Sequence, residues 1–345
     1  MNREILSAFL KKGTIVPKDH DNLWIGWGKR AWSPAPISEV SPNFYFPDFF
    51  LKVGMPWFSH ENWMEISLQE LKDALEEEKE PIDEKLDWEL TGLGFFEAVF
   101  KNLMEKIKKK ELAKAVPYLF EKTGKRMCKA RLLNSLFKAL AYAERHPAFI
   151  YGLWGDEEGF LGATPEALFE FKHNQLKTTA CAGTLSANEK ISKKLLLEHD
   201  LVVEGIASSL SPFGELEMQP KEQIPFANFT HLVTPIKVRL KNPPQFKKLV
   251  SALHPTPALG AFPKEKGMAF LEEFQMRLPR DRFGAPVGYL FKEEAFSVVA
   301  IRNVQWGLFG MKIGAGCGIV EGSLFEDELN EVKLKLKATR EILQL

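Results

Sequence analysis

The stretch from residue 148 to residue 183 reads AFIYGLWGDEEGFLGATPEALFEFKHNQLKTTACAG. Its short apolar runs, separated by glycine and acidic residues, are typical of short strands joined by turns. HLVTPIKVRL at 231–240 alternates as a strand does, and the runs YLF, FSVVAIRNVQW and LFGMKIGAG lie between 287 and 320. Together these runs predict antiparallel sheets.

Helical patterns lie before, between and after these strands. We predict helices in four segments: 67–115, 122–147, 195–210 and 326–345. Residues 14–65 are rich in aromatic residues and proline, which predicts irregular strands and turns packed on a core. Because no linker is polar or long enough to divide the chain, we predict one domain over 1–345, of the α+β class, with helices packed on antiparallel sheets.

The composition excludes several classes of protein. The 345 residues are 45% hydrophobic and carry 46 basic and 46 acidic side chains, so the chain can bury a core but lacks the positive field that nucleic-acid binding requires. No apolar run reaches the roughly 18 residues of a membrane span, and the N-terminus does not resemble a secretory signal. Three scattered cysteines argue against disulfides and against a cysteine zinc site. We therefore expect a cytoplasmic protein without nucleic-acid or membrane partners.

The predicted C-terminal helix carries a polar stripe beside an apolar one. Glu328, Glu331 and Lys335 lie at positions i, i+3 and i+7 and so share one face. The adjacent apolar stripe consists of Leu329, Val332 and Leu336. Two carboxylates beside a core-facing stripe could hold a hard cation such as magnesium. Alternatively, Glu331 and Lys335 form an ordinary i, i+4 pair on a solvated face.

Other segments also allow two interpretations. Lys114 lies between two alanines; if desolvated it could act as a general base, and otherwise it is one of many surface lysines. Glu198, next to the apolar stripe of the 195–210 helix, could be a metal ligand or a solvated side chain. Gly314–Gly318, GAGCG, follows a strand without a helix after it, so it is not a dinucleotide fingerprint. It is either a tight turn or a turn whose amides face a carboxylate.

Taken in order, nine segments are more informative than any one of them. They are ELAKAVP, GATPEALF, TTACAGT, EHDLVVEGI, HLVTPI, LHPTPALGAFP, VVAIRN, GAGCGIVEGS and EDELNEVKLK. This succession resembles the chorismate-utilising enzymes, which include isochorismate, salicylate, anthranilate and aminodeoxychorismate synthases. The resemblance covers 95–345, the catalytic motif region, whereas 1–94 resembles the variable N-terminal part only loosely. It implies a large α/β sandwich of antiparallel sheets with helices outside and a site in a deep cleft.

The resemblance also implies a substrate, chorismate, and a cofactor, Mg²⁺. Glu198 and Glu331 match the magnesium-binding glutamates, and Glu328 lies nearby as a water-mediated ligand. Arg302 matches the arginine that pairs with the second substrate carboxylate. The remaining substrate-binding residues implied by the resemblance are Gly183, His231, Ala258, Gly316 and Lys335.

Two positions indicate the reaction within this family. Aminodeoxychorismate synthases carry a nucleophilic lysine where this chain has Ala182, so that chemistry is disfavoured. Isochorismate and salicylate synthases use a lysine matched by Lys114 to activate water, and anthranilate synthases lack it. The resemblance then implies that Lys114 is the general base and that Glu166 protonates the departing hydroxyl. Departures at Pro117–Phe120 and at Ala285 bear on the substrate pocket.

We therefore predict an isochorismate synthase, an isomerase in menaquinone or siderophore biosynthesis. It would add water at ring carbon 2 of chorismate with loss of the carbon 4 hydroxyl. The alternatives are a salicylate synthase, which also eliminates pyruvate, an anthranilate synthase component I, and a chorismate-binding protein without turnover. HPTPA at 254–258 resembles isochorismate synthases better than salicylate synthases. We expect a monomer without an amidotransferase subunit.

Overall fold

The structure is a computed structural model that describes residues 1–79, 81–82, 84–186, 191–226, 229–242 and 245–345. The helices of this described part are α1 (Arg3–Lys11), α2 (Leu68–Glu76), α3 (Leu93–Lys108), α4 (Lys129–Ala143), α5 (Lys193–Leu210), α6 (Phe246–Leu253), α7 (Lys264–Arg277) and α8 (Phe325–Leu343). Within the described residues, no helix is long and apolar enough to cross a membrane.

The strands are shorter on average and more numerous. They are β1 (Gly13–Pro17), β2 (Asn22–Ser33), β3 (Asn43–Tyr45), β4 (Trp57–Ser67), β5 (Glu89–Thr91), β6 (Lys114–Ala115), β7 (Tyr118–Thr123), β8 (Phe149–Trp154), β9 (Gly159–Thr164), β10 (Ala167–Lys172), β11 (Gln175–Ser186), β12 (Gly214–Met218), β13 (Glu222–Phe226), β14 (Phe229–Leu240), β15 (Ala261–Phe262), β16 (Pro286–Phe291), β17 (Glu294–Val299), β18 (Asn303–Gly307) and β19 (Gly310–Gly316).

All these strands except β6 and β15 belong to one continuous antiparallel network, while β6 and β15 pair with each other. A core made of strand and loop residues alone, including Phe44, Phe58 and Val298, lies between strand layers. Helices cover two other cores: α1–α4, α7 and α8 pack on the first, and α5 and α6 on the second. The prediction of an α+β sandwich with helices outside is therefore confirmed.

Strand pairing joins residues 1–94 to the rest of the chain. β1 pairs with β8, β3 with β16 and β5 with β7, so strands from 1–94 continue the same sheet as strands from 95–345. The division of the chain at residue 94 stays a prediction, as does the single domain.

Several element boundaries differ from the predictions. Residues 14–65 contain the long regular strands β2 and β4, because their aromatic side chains pack into the sheet core rather than into irregular turns. The predicted helix over 67–115 is interrupted by β5, and the one over 122–147 begins only at Lys129. Gly314–Gly316 belong to β19 instead of following a strand.

The predicted strand FSVVAIRNVQW is divided into β17 and β18. The break occurs at Arg302, whose φ of 55° lies in the left-handed region, where a strand cannot continue. Asn303 holds this turn, since its side-chain amide donates to the carbonyl of Ala300 at 2.6 Å and to the Tyr151 hydroxyl at 2.9 Å. The turn places the Arg302 side chain in the cleft described below.

The last helix offers a direct test of the packing. Leu336 is fully buried, whereas Leu334 on the same helix is 44% exposed. Leu336→Ala should lower the free energy of unfolding by about 2–5 kcal/mol because it leaves a cavity. Leu334→Ala should change it by less than about 1 kcal/mol. Urea unfolding of both variants measures this; equal losses would contradict the assigned helix face.

Candidate active site

One cleft gathers most of the residues that the sequence predicts for a site. Its lining consists of Pro165, Glu166, Cys181, Ala182, Gly183, Glu198, His231, Ala258, Leu259, Phe283, Ile301, Arg302, Gly314, Ala315, Gly316, Gly318 and Lys335. The predicted residues outside this lining are Lys114, Glu328 and Glu331. Each of these three bonds to a charged neighbour at or beside the cleft, as the next paragraphs describe.

Lys114 is completely buried on the short strand β6. Its Nζ donates to Oε1 of Glu198 on α5 at 3.0 Å, and the Glu198 side chain is itself only 10% exposed. The interpretation of Lys114 as a surface lysine is therefore wrong. Removing one partner of an ion pair buried this deeply is strongly destabilising, because the other charge is left unpaired. The pair therefore fixes β6 and α5 relative to each other.

Glu166 occupies the connection between β9 and β10. Its amide donates to Oγ1 of Thr164 at 3.2 Å and its carbonyl accepts from the amide of Val299 at 3.0 Å, which anchors the backbone. Burial raises the pKa of Glu166 to about 7, although the charges of Lys114 and Lys335 lower it. This carboxyl group can therefore hold or release a proton near neutral pH, as a general acid requires.

The polar stripe of α8 is only partly solvated. Glu328 is fully buried and forms an ion pair with Lys194 of α5. Glu331 forms an ion pair with Lys335, and Lys335 also donates to the carbonyl of Gly316 at 3.0 Å. The i, i+4 pair thus exists, but the idea of a solvated face is wrong for Glu328.

These ion pairs affect the two carboxyl groups of α8 differently. Burial alone would raise the pKa of Glu331, but the adjacent Lys335 holds it below its usual range. Burial and the neighbouring Glu331 raise the pKa of Glu328 despite its bond to Lys194. The helix therefore presents one firmly ionised carboxylate and one that is costly to ionise.

Arg302 and His231 both supply polar side chains to the cleft. Arg302 is 5% exposed, and a guanidinium nitrogen donates to the carbonyl of Lys335 at 3.1 Å. Burial lowers its pKa to about 10, so it stays charged at neutral pH. Burial, followed by the charges of Arg302 and Lys335, lowers the pKa of His231 to about 3, which keeps this side chain neutral.

The glycines of the cleft differ in what they contribute. Gly183 has a φ of 78° at a bulge in β11, and a Cβ there would lie 3.2 Å from the carbonyl oxygen of Leu195. Gly316 lies in β19, where its carbonyl accepts from Lys335. Ala258 lines the cleft from the loop before β15.

The sequence analysis assigned no separate role to Gly318, which it treated only as part of the run Gly314–Gly318. A Cβ at this position would lie 2.0 Å from Oε1 of Glu198 and 2.7 Å from Cε of Lys114. Only glycine lets the backbone approach this ion pair so closely. The glycine-rich run at 314–318 indicated a close approach of the backbone to another group. The sequence alone could not show which glycine contacts a side chain from another element. Lys194, Cys181 and Phe283 were missed for the same reason.

The three predicted metal-binding carboxylates have the right chemistry for a hard cation, but each is paired with a lysine in the structure. Glu198, Glu328 and Glu331 offer only oxygen donors, which magnesium prefers. Each is bonded to a lysine, respectively Lys114, Lys194 and Lys335. Accordingly, no group of three or more His, Cys, Asp or Glu is placed to hold a metal ion within the described residues. The donor set fits magnesium provided that it displaces lysine partners.

Comparison with known proteins identifies the family of the chain. Residues 57–344 match the family described as chorismate binding enzyme. The chain is similar to the salicylate biosynthesis isochorismate synthase of Pseudomonas aeruginosa, with 35% identity over 199 residues, 53% of this chain and 42% of that protein. It is also similar to isochorismate synthase MenF of Bacillus subtilis, with 30% identity over 56% of this chain and 44% of that protein. The matches thus span less than half the length of these relatives.

Solved structures show the same fold. The menaquinone-specific isochorismate synthase MenF of Escherichia coli superposes with a TM-score of 0.80 at 18% identity, over 100% of this chain and 92% of that one. Anthranilate synthase component I of Streptococcus pneumoniae gives a TM-score of 0.70 at 18% identity, over 89% and 83%. At these identities the likeness concerns the fold alone.

The raised pKa of Glu166 predicts a pH-dependent stability. Because the folded protein binds this proton more tightly than the unfolded chain, the wild type loses stability as the pH rises from about 4.5 to about 7. Glu166→Gln removes this loss, so its stability relative to wild type should rise by about 1–3 kcal/mol between pH 4.5 and pH 8. Urea unfolding at both pH values measures the change. A constant difference would contradict a buried, protonated Glu166.

Proposed function

Because the chain belongs to the chorismate-binding enzyme family, we propose that it is an isochorismate synthase, an isomerase that converts chorismate to isochorismate with Mg²⁺. The observation that carries the proposal is the proximity of Lys114, which lies beside the cleft, to Glu166, which lines it. The Lys114 ammonium is close enough to lower the pKa of Glu166, and both side chains are buried. A base and an acid facing one substrate are what a hydroxyl exchange on a ring requires.

The proposed reaction uses these two residues in turn. Neutral Lys114 accepts a proton from the water that attacks ring carbon 2, and the ring double bonds shift. Glu166 donates its proton to the hydroxyl that leaves carbon 4 as water. With a pKa of about 7, Glu166 is protonated often enough at neutral pH to serve as the acid.

The substrate carboxylates would be held by the cationic and amide groups of the cleft. Arg302 would pair with one carboxylate in a bidentate geometry, while Lys335 and the backbone at Gly183 face the other. Neutral His231 and Ala258 would shape the wall without adding charge. Hydrogen bonds from buried donors orient the ring toward Lys114 and Glu166.

Magnesium, held by Glu198, Glu331 and Glu328, would supply positive charge for the ring carboxylate. In the structure, Glu198 accepts a hydrogen bond from Lys114 at 3.0 Å. Sharing Glu198 with a cation would weaken this pair.

Product analysis tests the proposal. Purified protein is incubated with chorismate and Mg²⁺, with and without ammonium, and the products are separated by chromatography. We expect a mixture of chorismate and isochorismate that EDTA abolishes. Salicylate with pyruvate would instead indicate a salicylate synthase, and anthranilate formed only with ammonium would contradict the role of Lys114. Binding of chorismate without any product would indicate a binding protein.

A substitution at Lys114 tests the base directly. Lys114→Ala should lower kcat by about 10²–10⁴-fold because it removes general base catalysis. Calorimetric binding of chorismate should largely survive, provided that circular dichroism shows a folded variant. Normal turnover by this variant would show that another group activates the water.

Gly318→Ala tests the close approach at the ion pair. The added methyl group collides with Glu198 and Lys114, so we expect a loss of activity of about 100-fold or more, comparable to a misplaced catalytic group. Gly307→Ala is the matched control, since a Cβ there meets nothing within 4 Å. Equal activities of the two variants, measured as isochorismate formation, would rule out the steric requirement.

A further inference from the structure

His199 is a buried side chain beside the cleft that the proposed reaction does not use. It follows Glu198 on α5 and is completely inaccessible to solvent. Its ring makes two hydrogen bonds: Nδ1 lies 3.2 Å from the carbonyl oxygen of Ala182, and Nε2 lies 2.8 Å from Oγ1 of Thr234. One side chain of α5 therefore reaches both β11 and β14.

The chemistry of the partners fixes the state of the ring. A carbonyl oxygen only accepts hydrogen bonds, so Nδ1 must carry the hydrogen and donate to Ala182. The hydroxyl of Thr234 can donate, so the second ring nitrogen need not carry a hydrogen. In the neutral ring Nε2 has a lone pair and accepts from the Thr234 hydroxyl. The two bonds therefore differ in direction and can be removed separately.

Both partners adjoin residues of the cleft. Ala182 precedes Gly183, where β11 bulges and the backbone has a positive φ. Thr234 lies on β14, the strand that carries His231. Glu198 is the residue before His199 on α5, so the helix turn that the ring anchors to the two strands also carries Glu198.

We propose that His199 is a positioning residue that fixes the Gly183 bulge against α5, so that the backbone there meets a carboxylate of the substrate. The inference rests on the proposed function for the identity of that substrate. The bond to Ala182 carries the effect, since it acts on the residue next to Gly183. The bond to Thr234 satisfies the second nitrogen of the buried ring and contributes to stability rather than to the position of the bulge.

Two isosteric replacements separate the bonds. In His199→Asn the amide nitrogen takes the place of Nδ1 and can still donate to Ala182, whereas in His199→Gln it takes the place of Nε2 and reaches only Thr234. His199→Gln should raise KM for chorismate about tenfold with little change in kcat, as expected for lost substrate binding. His199→Asn and Thr234→Val should keep KM within about threefold of wild type.

A matched control separates positioning from general stability. His60 is also buried and bonds through Nε2 to a threonine hydroxyl, Oγ1 of Thr14, at 2.8 Å, but it does not line the cleft. His60→Gln should lower the melting temperature without changing KM. Equal increases in KM for His199→Asn and His199→Gln would contradict the proposal. So would an increase in KM for His60→Gln as large as that for His199→Gln, when the two variants lose the same melting temperature.

A second readout does not depend on turnover. Amide hydrogen exchange in the stretch 180–183 of the free protein should be faster in His199→Gln than in His199→Asn, because only the glutamine variant releases the carbonyl of Ala182. Equal exchange in the two variants would overturn the positioning role. If the wild type formed no isochorismate, the proposed function would fail, while the exchange comparison would still decide what His199 does to the bulge.

Discussion

The buried ion pair between Lys114 and Glu198 constrains the architecture of the cleft more than any other contact. Neither charge can remain buried without the other, because an unpaired buried charge costs several kcal/mol. The strand β6 and the helix α5 must therefore approach each other, and the chain at Gly318 must pass without a side chain. Pairing with β15 then places the 253–263 loop, which carries Ala258, on the wall of the same cleft.

Two further ion pairs extend this arrangement across the molecule. Lys194 of α5 meets Glu328 of α8, and Lys335 of α8 meets Glu331 and the carbonyl of Gly316 on β19. Lysines thus pair with the carboxylates of α8 and hold them in place. The same positive charges act on Glu166, whose pKa reflects burial opposed by Lys114 and Lys335. In the proposed reaction, the binding of metal, the orientation of substrate and the acidity of Glu166 would therefore be linked through shared charges.

Predictions of helices and strands from the spacing of apolar residues were accurate where the buried residues keep one helical or strand period throughout the segment. The apolar stripe of α8 and the helix over 195–210 lie as their spacing indicates, and β14 contains the predicted strand. Prediction was wrong where a tertiary contact interrupts a pattern. FSVVAIRNVQW was predicted to be a single strand, yet Asn303 bonds to Tyr151 from a distant strand and stabilises the turn at Arg302. No local periodicity contains that contact.

The sequence by itself determined the α+β class, the ordered motifs and the set of chemical groups available to the site. It left open whether Lys114 and the carboxylates of α8 were surface charges, since spacing along one helix or strand says nothing about what lies opposite. Only the tertiary structure decided this, by burying Lys114 against Glu198 and Glu328 against Lys194. The physical reason is that the ionisation and role of a charged side chain depend on its desolvation and on partners distant in sequence.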